Sequence, residues 1–168
     1  MDIDEFDRII AKGENQFVDF KIECNAFDSK SSNQDEAKAE LVKDILAMAN
    51  NKGTLSLILI GVSDDGKDFK SVINKKLTDD NLQSLCKEVI SPPPKVNLFS
   101  FDVPPIPGKT DLLRCVIILV GPHVEKVFKF NRDFISPKKA ERQYHFRRNE
   151  VWIRRGATSD LNCFHMAQ

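Results

Sequence analysis

Apolar and polar positions alternate along this chain with two different periods, and the switch between them divides it into helices and strands. At residues 41, 42, 45, 46, 48 and 49 stand Leu41, Val42, Ile45, Leu46, Met48 and Ala49, one stripe at the 3.6-residue period of a helix buried on one side. Ser32 or Asn33 is the expected N-cap of that helix, with Asp35 and Glu36 in its first turn, where carboxylates meet the positive end of the peptide dipoles. Asn50, Asn51 and Gly53 end it, because Asn and Gly accept the left-handed backbone of a helix C-terminus. Residues 55–62 follow as an almost unbroken apolar run, which predicts a central strand with neither face in water.

The flanking segments are shorter. Residues 2–11 predict a helix with Ile3, Phe6, Ile9 and Ile10 inward, stopped by Gly13 and lying over the domain as a lid. Residues 17–23 alternate, so Val18, Phe20 and Ile22 share one face of a half-buried strand while Asp19, Lys21 and Glu23 share the other. Residues 66–76 read as a loop or short strand pair. Thr78 caps a second helix with Leu82, Leu85, Cys86 and Val89 inward, and Pro92, Pro93 and Pro94 forbid its continuation. Residues 96–103 and 112–120 predict strands around a loop at 104–111. Residues 127–143 are irregular, residues 144–146 and 150–155 predict a hairpin turning at Arg148-Asn149, and Thr158 or Ser159 is placed to cap a final short helix. The expected fold is α/β (α+β): a mixed, largely antiparallel central sheet with two main helices packed on it, in a single domain over 1–168.

Composition narrows the class. At 168 residues, 41% hydrophobic and 30% charged, the chain suits a soluble globular domain, and no apolar run approaches the ~20 residues that span a bilayer. The acidic N-terminus is not a secretory signal, and Cys24, Cys86, Cys115 and Cys163 lack the paired spacing of a zinc or redox site, so reduced thiols and a cytoplasmic location are expected. Zero net charge conceals an asymmetry. Residues 1–66 carry 14 acidic against 7 basic side chains, which leaves 11 against 18 of the 25 and 25 for the remainder. Ten Lys or Arg fall in 121–155, including Lys138, Lys139, Arg147, Arg148, Arg154 and Arg155, a segment suited either to phosphate or simply to water.

Nothing in the chain has the spacing of a phosphate loop, a dinucleotide fingerprint or a zinc helix. Carboxylates at turning points remain: Glu14 before the first strand, Asp19 on its polar face, and Asp64 and Asp65 beyond the central strand. Hard oxygen ligands so clustered would suit Mg²⁺ or Mn²⁺, although solvated acids, with Asp19 paired to Lys21, satisfy the same pattern. Tyr144 and Trp152 can stack on bases, while a single Trp on a strand is more often a core residue.

Residues 6–21 (FDRIIAKGENQFVDFK), Ala47-Met48-Ala49-Asn50, Ile60-Gly61-Val62-Ser63-Asp64-Asp65-Gly66, Ile90-Ser91-Pro92-Pro93-Pro94 and Val151-Trp152-Ile153-Arg154-Arg155-Gly156-Ala157-Thr158 resemble, in this order, the landmarks of the Schlafen AlbA_2 domain family. That resemblance implies a mixed α/β sheet with helices on it and a nucleic-acid-binding function, RNA favoured. Some members are metal-dependent endoribonucleases acting on structured RNA such as tRNA, and others are DNA-binding transcription-regulator modules. For the nuclease members it implies metal ligation by Glu14, Asp19 and Asp64, with Asp65 as the alternative third acid, and Lys21 or an Arg of the basic segment stabilising developing charge. Asp19 stands where Glu is usual. Animal members pair two such lobes around RNA, so a homodimer of this chain would have to supply the second. A protein-interaction or small-ligand domain is the remaining class.

Overall fold

The computed structural model describes residues 3–28, 30–31, 34–103, 112–135 and 144–161, side chains 134, 135, 144 and 145 excepted. Ser32, Asn33, the loop at 104–111, Lys138 and Lys139 therefore lie outside the described residues. In order the elements are α1 (Ile3–Lys12), β1 (Val18–Lys21), α2 (Gln34–Ala49), β2 (Ser56–Ile60), α3 (Asp79–Val89), β3 (Ile90–Ser91), β4 (Val96–Val103), β5 (Leu113–Val120), β6 (Lys129–Phe130), β7 (Phe134–Ile135), β8 (Tyr144–Phe146), β9 (Trp152–Arg155) and β10 (Thr158–Leu161). The fold is α+β.

Four strands form the main sheet in the order β1-β2-β5-β4, with β1 parallel to β2 and the other two pairings antiparallel. A parallel pair needs a crossover, and α2 supplies it. As its apolar run predicts, β2 is interior, between β1 and β5. Alternate residues of the sheet feed two cores. Ile58, Ile60, Val116, Ile118 and Val120 pack with Leu41, Val42, Ile45 and Leu46 of α2 and with Leu82, Leu85 and Val89 of α3. On the opposite face Phe20, Leu59, Cys115 and Ile117 pack with Phe6 of α1. Phe6, the one buried residue of α1, stands edge-on to Phe101 with ring centroids 5.1 Å apart and anchors the helix on this face, while Ile3 is left exposed.

The second main helix obeys its signals: Thr78 accepts from the Asn81 N–H as N-cap, and α3 stops at Val89, ahead of a cis Ser91-Pro92 peptide. Among the described residues, no helix is long and apolar enough to cross a membrane.

Two expectations for the C-terminal third are corrected. The turn at Arg148-Asn149 forms, with Asn149 at φ 69° and the Glu150 N–H donating to Arg147 O (3.1 Å). Its two arms nevertheless pair elsewhere, β8 with β7 and β9 with β10. Asn149 N–H donates to Phe130 O, and Phe130 N–H donates to Glu150 O, so β6 captures the turn and separates the arms. The expected final helix is instead β10. Gly156, at φ 60°, and Ala157 form the two-residue connection of a hairpin whose register pairs Thr158 with Arg155, which commits residues 158–161 to a strand. This hairpin packs on α2 and reaches β1 through Arg154, and with sheet and hairpin both against it the helix is buried nearly all round at its C-terminal half.

Candidate functional site

Asp19 and Lys21 alternate out of the apolar face of β1, as the sequence predicts, yet the polar face they share is not solvated. In register they stand beside Ile58 and Ile60 of β2, so they point toward α2. Asp19 is 5% exposed. What makes this tolerable is a network of opposite charges drawn from β1, α2, β9 and the loop ahead of β1.

Arg154 of β9 is the centre of it, with its side chain 1% exposed. Its Nη2 lies 2.9 Å from Asp19 Oδ1 and 3.8 Å from Glu14 Oε1, while Nε donates to Asn15 O (2.9 Å) and Nη2 to Val18 O (3.3 Å). A planar guanidinium has the donors to serve a carboxylate and two carbonyls at once, which an ammonium does only loosely. Lys21 closes the other side: its Nζ is 3.1 Å from Asp19 Oδ2 and 2.6 Å from Asp44 Oδ2. Asp44, on α2, is buried and also meets Lys43 Nζ (3.4 Å) and the Ser159 hydroxyl of β10, which donates to Oδ1 (3.2 Å). Burial alone would pull the Lys21 ammonium down, but Asp44 first and Asp19 second overcome it and hold it well above its ordinary value. Its contribution to stability is therefore complete below the ordinary lysine range and is lost only as pH rises through the higher folded value.

Glu14 lies ahead of β1, and its Oε1 reaches back over the strand to accept the Phe20 N–H (2.8 Å). Burial raises its carboxyl above the ordinary 4.5; the Phe20 hydrogen bond opposes that, and neighbouring Asp19 adds to it. An acid whose folded value is raised favours the native state when protonated. The fold accordingly loses stability as pH climbs from the ordinary glutamate range through the folded value. Glu14→Gln keeps an acceptor for Phe20 and removes the charge. Chemical denaturation at pH 7 is expected to find it more stable than the parent, and at pH 3.5 equal to it; a variant less stable at neutral pH would show that the Glu14 charge is needed by Arg154.

Among the described residues, the side chains of the acidic turn after β2 make no ion pair with this network, although Gly61 and Val62 N–H donate to Lys21 O at the entry to the turn. Gly61 enters it at φ 105°, where an added Cβ would come within 2.8 Å of Lys70 O, so only glycine fits the close approach. Ser63 Oγ donates to Asp65 Oδ1 (2.7 Å), and the Lys67 N–H donates to the same oxygen (3.1 Å). Those two hydrogen bonds lower the Asp65 carboxyl below its ordinary value. Asp65 thus organises its own turn. Asp64 is exposed and borders a groove that Lys21, Glu23 and Glu40 also line.

The acids expected to hold Mg²⁺ or Mn²⁺ fall into two groups. Glu14 and Asp19 come together, but Asp19 has a cation of the chain against each oxygen. Among the described residues no group of three or more His, Cys, Asp or Glu side chains is placed to hold a metal ion. Arg154 and Lys21 lie against the two oxygens of Asp19, while Asp19 Oδ2 and Asp44 Oδ2 are buried with ion pairs and no hydrogen bond of good geometry among the described residues.

The basic segment divides in a way its composition did not reveal. Arg147, Arg148 and Arg155 are exposed, the Arg148 N–H donating to Asp133 Oδ1 (2.6 Å), whereas Arg154 is buried. Two residues that build this arrangement have roles the sequence did not reveal. Asp44 is the only acid between Leu41 and Ala49, a visible anomaly in an apolar stripe. Asn50, read as a helix stop, also accepts the Phe128 N–H (2.8 Å) and donates to Phe128 O (2.9 Å) and Trp152 O (2.8 Å). It thereby fixes β9, and with it Arg154, against the end of α2. Trp152 is half-buried, edge-on to Phe146 at 5.4 Å, which is a core role.

A family model described as Schlafen, AlbA_2 matches residues 14–162. No curated protein matches the chain.

Proposed function

The chain belongs to the Schlafen AlbA_2 family, which gives it a nucleic-acid-related function, and on that premise we propose a nucleic-acid-binding domain, RNA favoured over DNA, that engages phosphates through exposed arginines. The observation that supports this reading is the separation of charge roles along β9 and its preceding turn. Arg154 is consumed inside the domain, while Arg147, Arg148 and Arg155 stand at the surface. Lys138 and Lys139 continue the same basic segment in sequence. RNA is favoured because the family resemblance includes members that act on structured RNA.

Phosphate contacts release counterions, so affinity is expected to fall with salt, at a slope of about 0.9 per phosphate on duplex DNA and about 0.7 on single strands. Arg148→Glu together with Arg155→Glu should weaken binding to tRNA and to DNA alike and flatten that slope, as read by fluorescence anisotropy across a salt series. Binding that ignores both salt and the two reversals would sink the reading in favour of a protein-interaction domain. A homodimer supplying the second lobe belongs to the same proposal, and sedimentation with and without tRNA measures it.

Cleavage is the second reading, carried by the pairing of Glu14 with Asp19 and by Asp64 on the neighbouring groove. It would require Glu14 and Asp19 to give up Arg154 and Lys21. On the binding reading tRNA incubated with Mn²⁺ stays intact. Cleavage that Asp64→Ala abolishes, with affinity held within a few-fold, would instead make the chain an endoribonuclease.

A further inference from the structure

A cavity of about 570 Å³ opens between the segment following β1 and the loop that precedes α3, within the size range of small-ligand sites. Neither the arginines nor the Glu14–Asp19 network contributes to its lining. Its walls combine two chemistries. Phe27 and Val72, both nearly buried, give it an apolar base, and Ile73, 86% exposed on its edge, is an apolar side chain with no packing role in either core. Around this base stand four lysines, Lys30, Lys70, Lys75 and Lys76, against only Glu23 and Asp28. Lys70 pairs with Glu23. Asp28 Oδ1 accepts the Lys30 N–H (2.9 Å) and is occupied with its own turn. Lys30 and Lys75 have no acidic partner among the described residues, so two ammonium groups border the cavity without internal neutralisation. Cys24 adds no negative charge, because burial raises its thiol above the ordinary value.

An apolar base edged by uncompensated cations is complementary to a molecule that is flat and apolar at one end and anionic at the other. We propose that this cavity binds a nucleoside phosphate, with the base against Phe27, Val72 and Ile73 and the phosphate between Lys30 and Lys75. Asn25, Asn74 and Ser71 also line the walls and offer polar groups to the edges of a base or to a ribose. The same chemistry is presented by a free nucleotide and by the 5′-phosphorylated end of a strand. The site does not depend on the arginine surface and stands or falls separately from it.

The test is calorimetric titration of the whole chain with AMP, GMP, CMP and UMP, with inorganic phosphate, and with a 5′-phosphorylated trinucleotide. At least one monophosphate is expected to bind in the micromolar to low-millimolar range and more tightly than inorganic phosphate. Lys30→Glu with Lys75→Glu should weaken it by about tenfold or more, and Ile73→Asp, at a position too exposed to affect folding, by several-fold. Lys12→Glu with Lys87→Glu, at exposed positions outside the cavity, should leave it unchanged. Tighter binding of the mononucleotide identifies the free ligand, and tighter binding of the trinucleotide identifies the strand end. The proposal is overturned by no binding at about 10 mM nucleotide, by phosphate binding as well as every nucleotide, or by nucleotide affinity that survives both lysine reversals in variants shown to be folded by circular dichroism.

Discussion

Arg154→Ala is expected to destabilise the domain by about 3–5 kcal/mol, the usual consequence of removing one member of a buried ion pair and leaving the other without its counter-charge. The variant loses more than one contact. Asp19 Oδ1 is left buried without its 2.9 Å partner, and the carbonyls of Asn15 and Val18 each lose one of two donors, keeping only the other residue's backbone N–H. It also cuts a tether between β9 and the start of β1, residues far apart in sequence. Arg154→Lys should recover only part of the loss, since an ammonium restores the charge and not the fork. Asp19→Ala in the Arg154→Ala background should then cost much less than it does alone, because the charge it removes has already lost its partner. Urea titrations of the four proteins give this cycle. Additive losses, or a change below about 1 kcal/mol for Arg154→Ala, would mean that Arg154 and Asp19 are not coupled and that the arginine is available to a ligand.

Ile58→Ala carries the second large effect, about 2–5 kcal/mol, from lost transfer free energy and the cavity left between sheet and helix. Ile58 is fully buried, stands between Asp19 of β1 and Ile118 of β5, and packs in the cluster containing Val42, Ile45 and Leu46. Ile58→Val should cost only about 0.5–1.5 kcal/mol, which separates an emptied core site from a general loss of strand propensity. A fall below about 0.5 kcal/mol for the alanine would contradict an interior β2. The two predictions share a consequence. Ile58 supports α2 from the sheet while Ser159 of β10 holds Asp44 of the same helix, so loosening α2 is expected to raise amide exchange in α2 and in the β9–β10 hairpin together.

These residues also show where reading the sequence succeeds. The apolar run 55–62 was long enough, and the stripe at 41–49 regular enough, that one interior strand under one helix was the only economical way to remove them from water. Thr78 and the three prolines set the limits of α3 by local chemistry that tertiary contacts did not override. At 144–161 the local pattern was followed only in part. The turn at Asn149 formed, but its partner was β6, a two-residue strand too short to carry a periodic signal.

Residues 151–155 carried a clue to Arg154 that composition obscured. On a strand, residues two apart share a face, so with Trp152 turned toward the core Arg154 is turned the same way. Counted within a basic segment it looked like its neighbours; placed on β9 it is the one that goes inside. The acids divide likewise. Glu14 and Asp19 are brought together at β1, and Asp64 and Asp65 remain beyond Gly61 in a turn that uses Asp65 for its own hydrogen bonds.

The sequence by itself determined the helices α2 and α3, the interior position of β2, the alternation of β1 and the family, because each of these rests on spacing along the chain. Only the tertiary structure decided what the polar face of β1 meets. On sequence Asp19 stood as a metal ligand or as an acid paired to Lys21, and the fold adds Asp44 and Arg154 as partners, which lie 25 and 135 positions beyond Asp19 in the chain. No local period reports such a meeting, because a buried charge is stabilised by whichever opposite charge the fold delivers to it, and delivery depends on how β9 and β10 close over α2.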